Sequence, residues 1–456
     1  MGKSKNKKGG GGGNGEAHPQ PSTKTAKKKK ARKVKFLEIK EKQFQEKKKK
    51  KEKLDKLRLQ SHPKKRHHKP VGGTQTPAAI EIQDESDGVG SPFISFEESS
   101  KAAVVDLTEP TENDQVPWMQ SGKRYRHRNV FLCLHEEILD FVQFLSPTSE
   151  EIATRKALVV TMEELVASLW PNATIKPFGS QLTQMFLPTS DIDMVVLNGP
   201  EGKEPLFALA ARLEELDMVS YIEVVDGARI PIVKFVHAES GLSVDVSFGV
   251  TSGFATAELV LSYQKKFAPF RPLTLLLKYF LQQRGLNETF KGGVGSFLLQ
   301  LMVVSFLQHS NRNSRYRNEG TDLGHLLFGF FDLYGNIFNS FDLTISVSNG
   351  GAYLKKTDLN WKNYQRPELL SMENPHDRTL DVGSNSFEIR RVFKVFSHAA
   401  KVLQVEIEHR GNMDPNHDEY GESILERIIA LDDLLTSRTG PTKFGFEIEK
   451  VAAKHR

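Results

Sequence analysis

The sequence predicts an α+β protein in which a small mixed β-sheet unit is followed by a helical unit, behind a long basic tail with no core of its own. Three observations predict it. Charge is uneven: residues 1–70 hold 26 Lys+Arg against 6 Asp+Glu, a net +20, which leaves −14 on the rest of a chain whose formal charge is +6. Between about residues 175 and 248, short β-branched runs are bounded by Gly, Pro, Asn and Asp. From Thr256 onward the apolar period is mainly helical.

The stretch from Met1 to about Val116 is Gly-rich (Gly9 to Gly13), then Lys-rich, then acidic with Ser, Thr and Pro. Almost no periodic apolar face appears in it, so it reads as disordered, with one charged run, Phe36–Gln60, that is free of Gly and Pro and fits a solvated helix. Lys27–Lys35, Lys47–Lys53 and Lys64–Lys69 are basic clusters suited to nuclear import or phosphate binding. Folded character is expected from Trp118. His135–Leu145 places Ile138, Leu139, Val142 and Leu145 at helical spacing, and Ser146-Pro147 offers a helix start before Ile152–Leu169. Strands are expected at Ile175–Ser180, Asp191–Leu197, Tyr221–Val225, Ile230–Val236 and Leu242–Phe248, with a helix over Pro205–Leu216. Helices then follow at Ala257–Phe267, Leu273–Arg284, Ser296–His309 and Leu323–Asn339.

At 456 residues the chain accommodates two or three domains of about 100–200 residues each. Its single cysteine, Cys133, excludes an intramolecular disulfide and a cysteine-based zinc cluster, and reads as a buried thiol in a reducing compartment. No apolar run reaches the ~18 residues of a spanning helix, and the N-terminus lacks the apolar stretch of a signal peptide. A soluble intracellular protein is expected.

The chemistry-bearing pattern is Asp191-Ile192-Asp193. In a strand, side chains two apart project from one face roughly 6.6 Å apart, which suits a clamp for metal ions about 3.5–4 Å apart. Asp245, in the alternating run Leu242–Phe248, is the third candidate. Its face holds Ser243 and Ser247 while Val244, Val246 and Phe248 point inward, so its charge is expected to face solvent or metal. Three carboxylates hold hard divalent ions such as Mg²⁺ or Mn²⁺. Asp-x-Asp alone is common, but Phe178-Gly179-Ser180 precedes it, and such a turn brings backbone N–H groups and a hydroxyl against phosphate oxygens. No Gly-x-x-x-x-Gly-Lys-Ser/Thr loop, zincin spacing, zinc knuckle or RNP motif is present. Arg124–Arg128 is basic and aromatic and suits either RNA contact or a domain edge.

The run Phe178–Leu197, "FGSQLTQMFLPTSDIDMVVL", resembles the signature of the DNA polymerase β-like nucleotidyltransferases, and more narrowly the Trf-type noncanonical poly(A) polymerases. The similarity extends over roughly Trp118 to Leu403 and includes "ARIPIVKF", "SVDVSF", "RPLTLLLKYFLQQRGLNETFKGGVGSF" and "DVGSNSFEIRRVF". It implies a nucleotidyltransferase palm with a mixed sheet plus a helical central, poly(A) polymerase-associated domain, the nucleotide lying between them. The implied division is tail 1–116, helical segment 117–152 packing on the central domain, catalytic domain 153–255, central domain 256–403 with recognition loop 372–386, and a partly helical C-terminal tail 404–456.

The resemblance also assigns roles. Asp191, Asp193 and Asp245 would hold two metals, Mg²⁺ or Mn²⁺, and ATP would be the substrate. Gly179, Ser180, Gly253, Thr256, Lys278, Ser296, Phe297 and Asp381 would contact the nucleotide: Lys278 and Ser296 its phosphates, Gly253 its ribose, and Phe297, where the family usually has Tyr, its base. The glycine-rich turn before Ser296 opens a helix and suits phosphate binding. Gln282 stands where uridylyl-transferring relatives tend to carry a second Lys. Two departures stand out. The family loop Asn-Asp-Val-Gly-Arg is here Leu380-Asp381-Val382-Gly383-Ser384, which matches neither the adenylate nor the uridylate pattern. Gly249 replaces a usual Asn, a change expected to loosen its turn. The implied function is template-independent addition of AMP to the 3′ ends of nuclear RNAs for surveillance and exosome-mediated decay. The implied partners are a zinc-knuckle RNA-binding protein and an RNA helicase, no membrane is involved, and the implied location is the nucleus, nucleolus included. Uridylyl or mixed tailing, and a catalytically inactive RNA-binding scaffold, are the alternatives.

Overall fold

The computed structural model describes residues 116–120, 122–312 and 322–437. The basic tail, with the helix expected over Phe36–Gln60, lies outside them. Helix α1 spans Val130–Leu145, opened by Asn129, whose side chain accepts from the Phe131 amide. The next helix, α2 (Ser149–Leu169), starts later than Ser146-Pro147 suggested. Thr148 and Glu151 form its capping box, with Glu151 N donating to Thr148 Oγ1 at 3.1 Å and Thr148 N to Glu151 Oε2 at 2.7 Å. Ser146 instead closes α1, its amide donating to Val142 O.

Five strands follow: β1 (Thr174–Pro177), β2 (Ile192–Leu197), β3 (Val219–Val225), β4 (Ile232–His237) and β5 (Ser243–Phe248), in the order β1-β2-β5-β4-β3. The β2–β5 pair is parallel and the others antiparallel. Parallel neighbours need a long connection. A short helix, α3 (Ser180–Thr183), joins β1 to β2, while α4 (Glu204–Glu215) and the β3–β4 hairpin bridge β2 to β5. Leu158, Met162 and Val166 of α2 and Leu206, Leu209 and Leu213 of α4 pack with Ile192, Met194, Val233, Phe235, Val244 and Val246 in one apolar cluster. Strand alternation therefore turns the intervening residues of β2, β4 and β5 to the opposite face.

A second cluster gathers α1 with α5 (Ser252–Lys266), α6 (Phe270–Gln283), α7 (Ser296–Arg312), α8 (Leu323–Asp332) and α9 (Ile389–Gly411). Helix α6 is buried almost all round, with Leu273 to Leu281 inside. The pattern read as one helix from Leu323 to Asn339 is α8 followed by a π turn, Leu333–Ile337. This part is less purely helical than the sequence suggested. Strands β6 (Leu343–Ser346), β7 (Ala352–Lys355), β8 (Ser371–Asn374) and β9 (Asp377–Asp381) form a small sheet ordered β7-β6-β8-β9. They are short, and most of their buried positions are polar: Thr344 Oγ1 donates to Ser371 Oγ at 2.7 Å, and Ser346 Oγ to Glu373 Oε1 at 2.8 Å, beside the apolar Ile345 and Met372. Hydrophobic periodicity has little to report there.

Both ends of the described chain are anchored rather than loose. Val116 and Trp118 are buried, as is Cys133. The segment read as a tail from residue 404 continues α9 to Gly411 and then buries Tyr420, Ile424, Leu425, Ile429 and Leu435 in the same core, ending on α10 (Asp433–Ser437). The anchor is Glu137, 0% exposed on α1. It accepts from Trp118 Nε1 at 3.0 Å, from the amides of Ile424 at 2.8 Å and Leu425 at 3.1 Å, and from Ser423 Oγ. Arg410, equally buried, donates to the carbonyls of Tyr420, Glu422 and Ser423. Replacing Glu137 with Ala orphans four buried donors, so Glu137→Ala should lower unfolding free energy by about 3 kcal/mol, read by urea denaturation. A drop below about 0.5 kcal/mol would contradict this role.

Candidate active site

On the face of the sheet opposite α2 and α4, the register sets Asp193 of β2 directly beside Asp245 of β5, and Asp245 directly beside Lys234 of β4. Asp191 lies one residue before β2 rather than inside it, still on the Asp193 side. Lys234, to which the sequence pattern gave no role, donates to Asp245 Oδ1 at 3.0 Å and Oδ2 at 3.2 Å and stands 3.7 Å from Asp191 Oδ2. Its outward strand phase was legible in the sequence, but its pairing beside Asp245 was not. Burial works against the Lys234 ammonium, but Asp245 and Asp191 outweigh it and raise its pKa.

The carboxylates carry more negative charge than Lys234 offsets. Asp193 is pushed up to about 7, first by burial and then by Asp191 and Asp245. Burial likewise raises Asp245, against the opposing pull of Lys234. Among the described residues no trio of His, Cys, Asp or Glu is already drawn together as a metal cage, and the Lys234 ammonium reaches two of the three carboxylates. The donor chemistry nevertheless fits hard divalent cations: three carboxylates share one face around Lys234, and burial, then the neighbouring carboxylates, push Asp193 up to about 7.

Gly179 shows how tightly the first turn approaches this cluster. Its φ is +62°, and a Cβ there would stand 3.0 Å from Asp193 Oδ2, so glycine is required by conformation and by contact. Phe178 N donates to Asp193 O at 3.0 Å, fixing the turn to β2. At Gly253 a Cβ would fall 2.4 Å from the Phe178 ring, so glycine is needed there to seat that ring. Gly249 has φ +71°, a conformation that Asn also tolerates, and its amide donates to Val196 O at 2.9 Å, so the turn expected to loosen is held.

A cleft of about 910 Å³ runs from the carboxylates to α5, α6 and the start of α7, and brings together Ser180, Thr256, Lys278, Ser296 and Phe297 as well as Gly179. Lys278 is 8% exposed, donates to Met185 O at 2.8 Å, and is lowered to about 8 by burial against the pull of Asp191 and Asp193. Gln282 Nε2 donates to Thr189 Oγ1 at 2.7 Å, tying α6 to the segment that leads into Asp191. The glycine-rich turn before Ser296 is shaped by packing: a Cβ at Gly292 would collide with the Phe387 ring, and one at Gly293 with Leu286 O. Asp381 is not among the lining residues. Its carboxylate accepts from Met372 N, Gly383 N and Ser371 Oγ, so it organises its own loop. Leu380 is 39% exposed, and Ser384 Oγ donates back to Asp381 O. In the Arg124–Arg128 cluster, Tyr125 is core and Arg126 is engaged with Asn416 O and Asp418.

The mixed sheet, its paired outward aspartates and the Gly-Ser turn define a nucleotidyltransferase fold of the DNA polymerase β-like class. A family model for the central palm domain of mitochondrial-like poly(A) RNA polymerase matches residues 134–265, and one for Cid1 family poly A polymerase matches residues 322–380. The chain is 35% identical over 335 residues to poly(A) RNA polymerase cid14 of Schizosaccharomyces pombe, covering 71% of this chain and 48% of that protein. It is 34% identical to the inactive noncanonical poly(A) RNA polymerase protein Trf4-2 of Drosophila melanogaster, covering 63% of this chain and 72% of that one. A solved structure of the polymerase core of TRAMP, described as an RNA surveillance complex, superposes with a TM-score of 0.64 at 34% identity over 69% of this chain and 99% of that one. This chain belongs to the Trf-type noncanonical poly(A) RNA polymerase family. It spans about half the length of the S. pombe relative and of those from Saccharomyces cerevisiae.

The charge crowding has a measurable consequence. A folded-state pKa near 7 against an ordinary 3.8 means that Asp193 costs nothing below about pH 4, and that stability is lost as pH rises toward 7. Without divalent cations, Asp193→Asn should therefore stabilise the protein by about 1–2 kcal/mol above pH 7, with the gain fading toward pH 4. Thermal melts at pH 4.5 and 8 check this, and Mn²⁺ should raise the melting temperature of the wild type far more than that of the variant.

Proposed function

We propose that this chain is a template-independent RNA 3′-terminal nucleotidyltransferase that adds AMP from ATP to nuclear RNAs destined for surveillance, decay or processing. The observation that carries the reading is the in-register Asp193–Asp245 pair, with Asp191, at the floor of a cleft whose opposite wall presents Lys278 and Ser296. Asp191, Asp193 and Asp245 are the residues that would hold two Mg²⁺ or Mn²⁺ ions, which when bound would acidify the RNA 3′-hydroxyl and neutralise the triphosphate. The chain's own groups do the rest. Gly179 and Ser180 offer the short turn to phosphate, the Lys278 ammonium supplies positive charge from the other wall, and Phe297 offers a ring beside the cleft. Phosphoryl-type transfer depends chiefly on such positioning and charge placement, and no covalent nucleophile is required.

Adenylate preference rests on the poly(A) polymerase relatives, not on the loop, because Leu380 and Ser384 offer neither an amide nor a cation to a base edge. Partners follow the same support: the solved relative is the polymerase core of a complex, and a zinc-knuckle RNA-binding protein with an RNA helicase is the proposed company here. The Lys clusters of the tail support a nuclear location. A second reading, an inactive RNA-binding scaffold, is favoured by the Drosophila relative, which is named as inactive. Against it stand three converging carboxylates whose mutual repulsion a mere scaffold has no reason to bear.

An extension assay offering each NTP separately to an oligoribonucleotide separates these readings. ATP should be used best; preference for UTP would make this a uridylyltransferase, and no extension with any NTP would favour the scaffold. Asp191→Ala with Asp193→Ala should lower extension by more than roughly a hundredfold while the protein stays folded by circular dichroism. Removing residues 1–116 should weaken RNA binding and flatten its dependence on salt by about 0.7 log units for each phosphate that the tail neutralises, with the KM for ATP nearly unchanged. An unchanged salt slope would show that the tail does not touch RNA.

A further inference from the structure

Helix α9 carries a feature that the cleft does not account for. Arg391, Lys394, His398 and Lys401 fall within about 80° of arc on one helical face, along about 15 Å of helix, and all four are exposed. Arg390 extends the stripe at its N-terminal end, paired with Glu368 at 3.3 Å, as Arg391 is with Glu388 at 3.2 Å. For Lys394, His398 and Lys401 no acidic partner stands within ion-pair distance among the described residues. From residue 117 to the end this chain carries a net −5, so four basic groups aligned on one face run against the surrounding charge.

The stripe leads to the cleft. Glu388 N, just before α9, donates to Gly292 O at 2.9 Å, and the neighbouring Phe387 ring occupies the space a Cβ on Gly292 would need. Gly292 in turn ends the 3₁₀ turn Thr289–Lys291, whose Phe290 lines the cleft yet is 79% exposed. This turn is firmly built: Gly293 N donates to Glu288 O at 2.9 Å, Val294 N to Leu286 O at 2.8 Å, and a Cβ on Gly295 would fall 2.3 Å from Thr289 Oγ1. A rigid support that holds a phenyl ring out in water at the mouth of a polar cleft is a stacking platform. Lys291 Nζ lies 5.3 Å from the centroid of that ring.

We propose that α9 and Phe290 form the approach path for the single-stranded 3′ segment of the RNA. Arg391, Lys394, His398 and Lys401 track its phosphates, and Phe290 stacks on a base just outside the reaction centre. This rests on the reading of the chain as an RNA 3′-end transferase. Every element of the path is sequence-tolerant, since charge follows backbone and a ring stacks on any base, so the path favours unstructured tails without reading their sequence.

The test uses the full chain and a fluorescently labelled unstructured oligoribonucleotide. Lys394→Ala with Lys401→Ala should raise the KM for RNA roughly tenfold at moderate salt, reduce the salt slope of RNA affinity by roughly 1.4, and leave the KM for ATP unchanged. Phe290→Ala should raise the KM for RNA roughly five- to tenfold, and Phe290→Trp should restore it. Both variants alter exposed side chains, so a melting temperature within about 2 °C of wild type checks that the fold is kept. If wild type extends RNA while the double lysine variant keeps its KM for RNA and its salt slope, the path is wrong and the stripe serves an acidic protein surface instead. If Phe290→Ala shifts the KM for ATP rather than for RNA, the ring belongs to the nucleotide and not to the path. Failure of wild type to extend any RNA would sink the transferase reading itself, an outcome distinct from both.

Discussion

The parallel pairing of β2 with β5 is the constraint on which the rest depends. It places Asp193 and Asp245 side by side on neighbouring strands about 4.8 Å apart, where two ionised carboxylates repel by roughly 3 kcal/mol at an effective dielectric of 20. Such a pair persists only if both strands are fixed by something stronger. Ile192, Met194, Val244 and Val246, all 0% exposed on the reverse face, provide it, each contributing about 1.5–3 kcal/mol by burial. The apolar face therefore holds the charged face in place, and the β3–β4 hairpin between the two strands brings Lys234 to their edge as partial relief.

The segment between β1 and β2 shows how the two apolar clusters are joined around the reaction centre. From one side Arg155 of α2, 2% exposed, donates to the carbonyls of Pro188 at 2.9 Å and Ser190 at 2.7 Å, immediately before Asp191. From the other side Gln264 of α5 donates to Thr183 O, and Lys278 and Gln282 of α6 to Met185 O and Thr189 Oγ1. A loop held from both walls transmits the position of each to Asp191. Lys278 and the carboxylate loop thus share one hydrogen-bonded frame, so a shift of α6 would change the floor of the cleft as well as its wall.

Where side-chain period and chemistry coincide, the sequence is legible. Strand phase foretold that Val244 and Val246 are buried while Asp245 faces out, and Gly179 and Ser180 line the same cleft as Asp191. Lys234 was legible only through pairing, because nothing local says that β4 adjoins β5. The β6–β9 sheet escaped notice because Thr344, Ser346, Ser371 and Glu373 satisfy one another, and buried polar ladders leave no hydrophobic period. The C-terminal anchor escaped because its decisive contact, Glu137 with the Ile424 and Leu425 amides, spans nearly three hundred residues. Asp381 and Gly253 were placed by family pattern in contact with nucleotide. In the structure the Asp381 carboxylate is bonded within its own loop, and Gly253 makes room for the Phe178 ring.

Charge balance decides what the cleft can admit. Asp191, Asp193 and Asp245 face the two ammonium groups of Lys234 and Lys278, and near neutrality both Asp193, at about 7, and Lys278, at about 8, sit close to titration. The protein alone therefore presents a floor that is neutral to slightly negative, which would repel a triphosphate and an RNA terminus arriving together. If the centre acts as proposed, further positive charge would come from outside the side-chain set at the floor, and from cationic groups that would hold the RNA farther back. The chain is arranged accordingly, with its carboxylates concentrated at the centre, the exposed basic face of α9 set back from it, and +20 carried on the first 70 residues. On the proposed reading, separating the two kinds of charge would let the centre take small hard cations without RNA-tracking lysines competing for the same carboxylates.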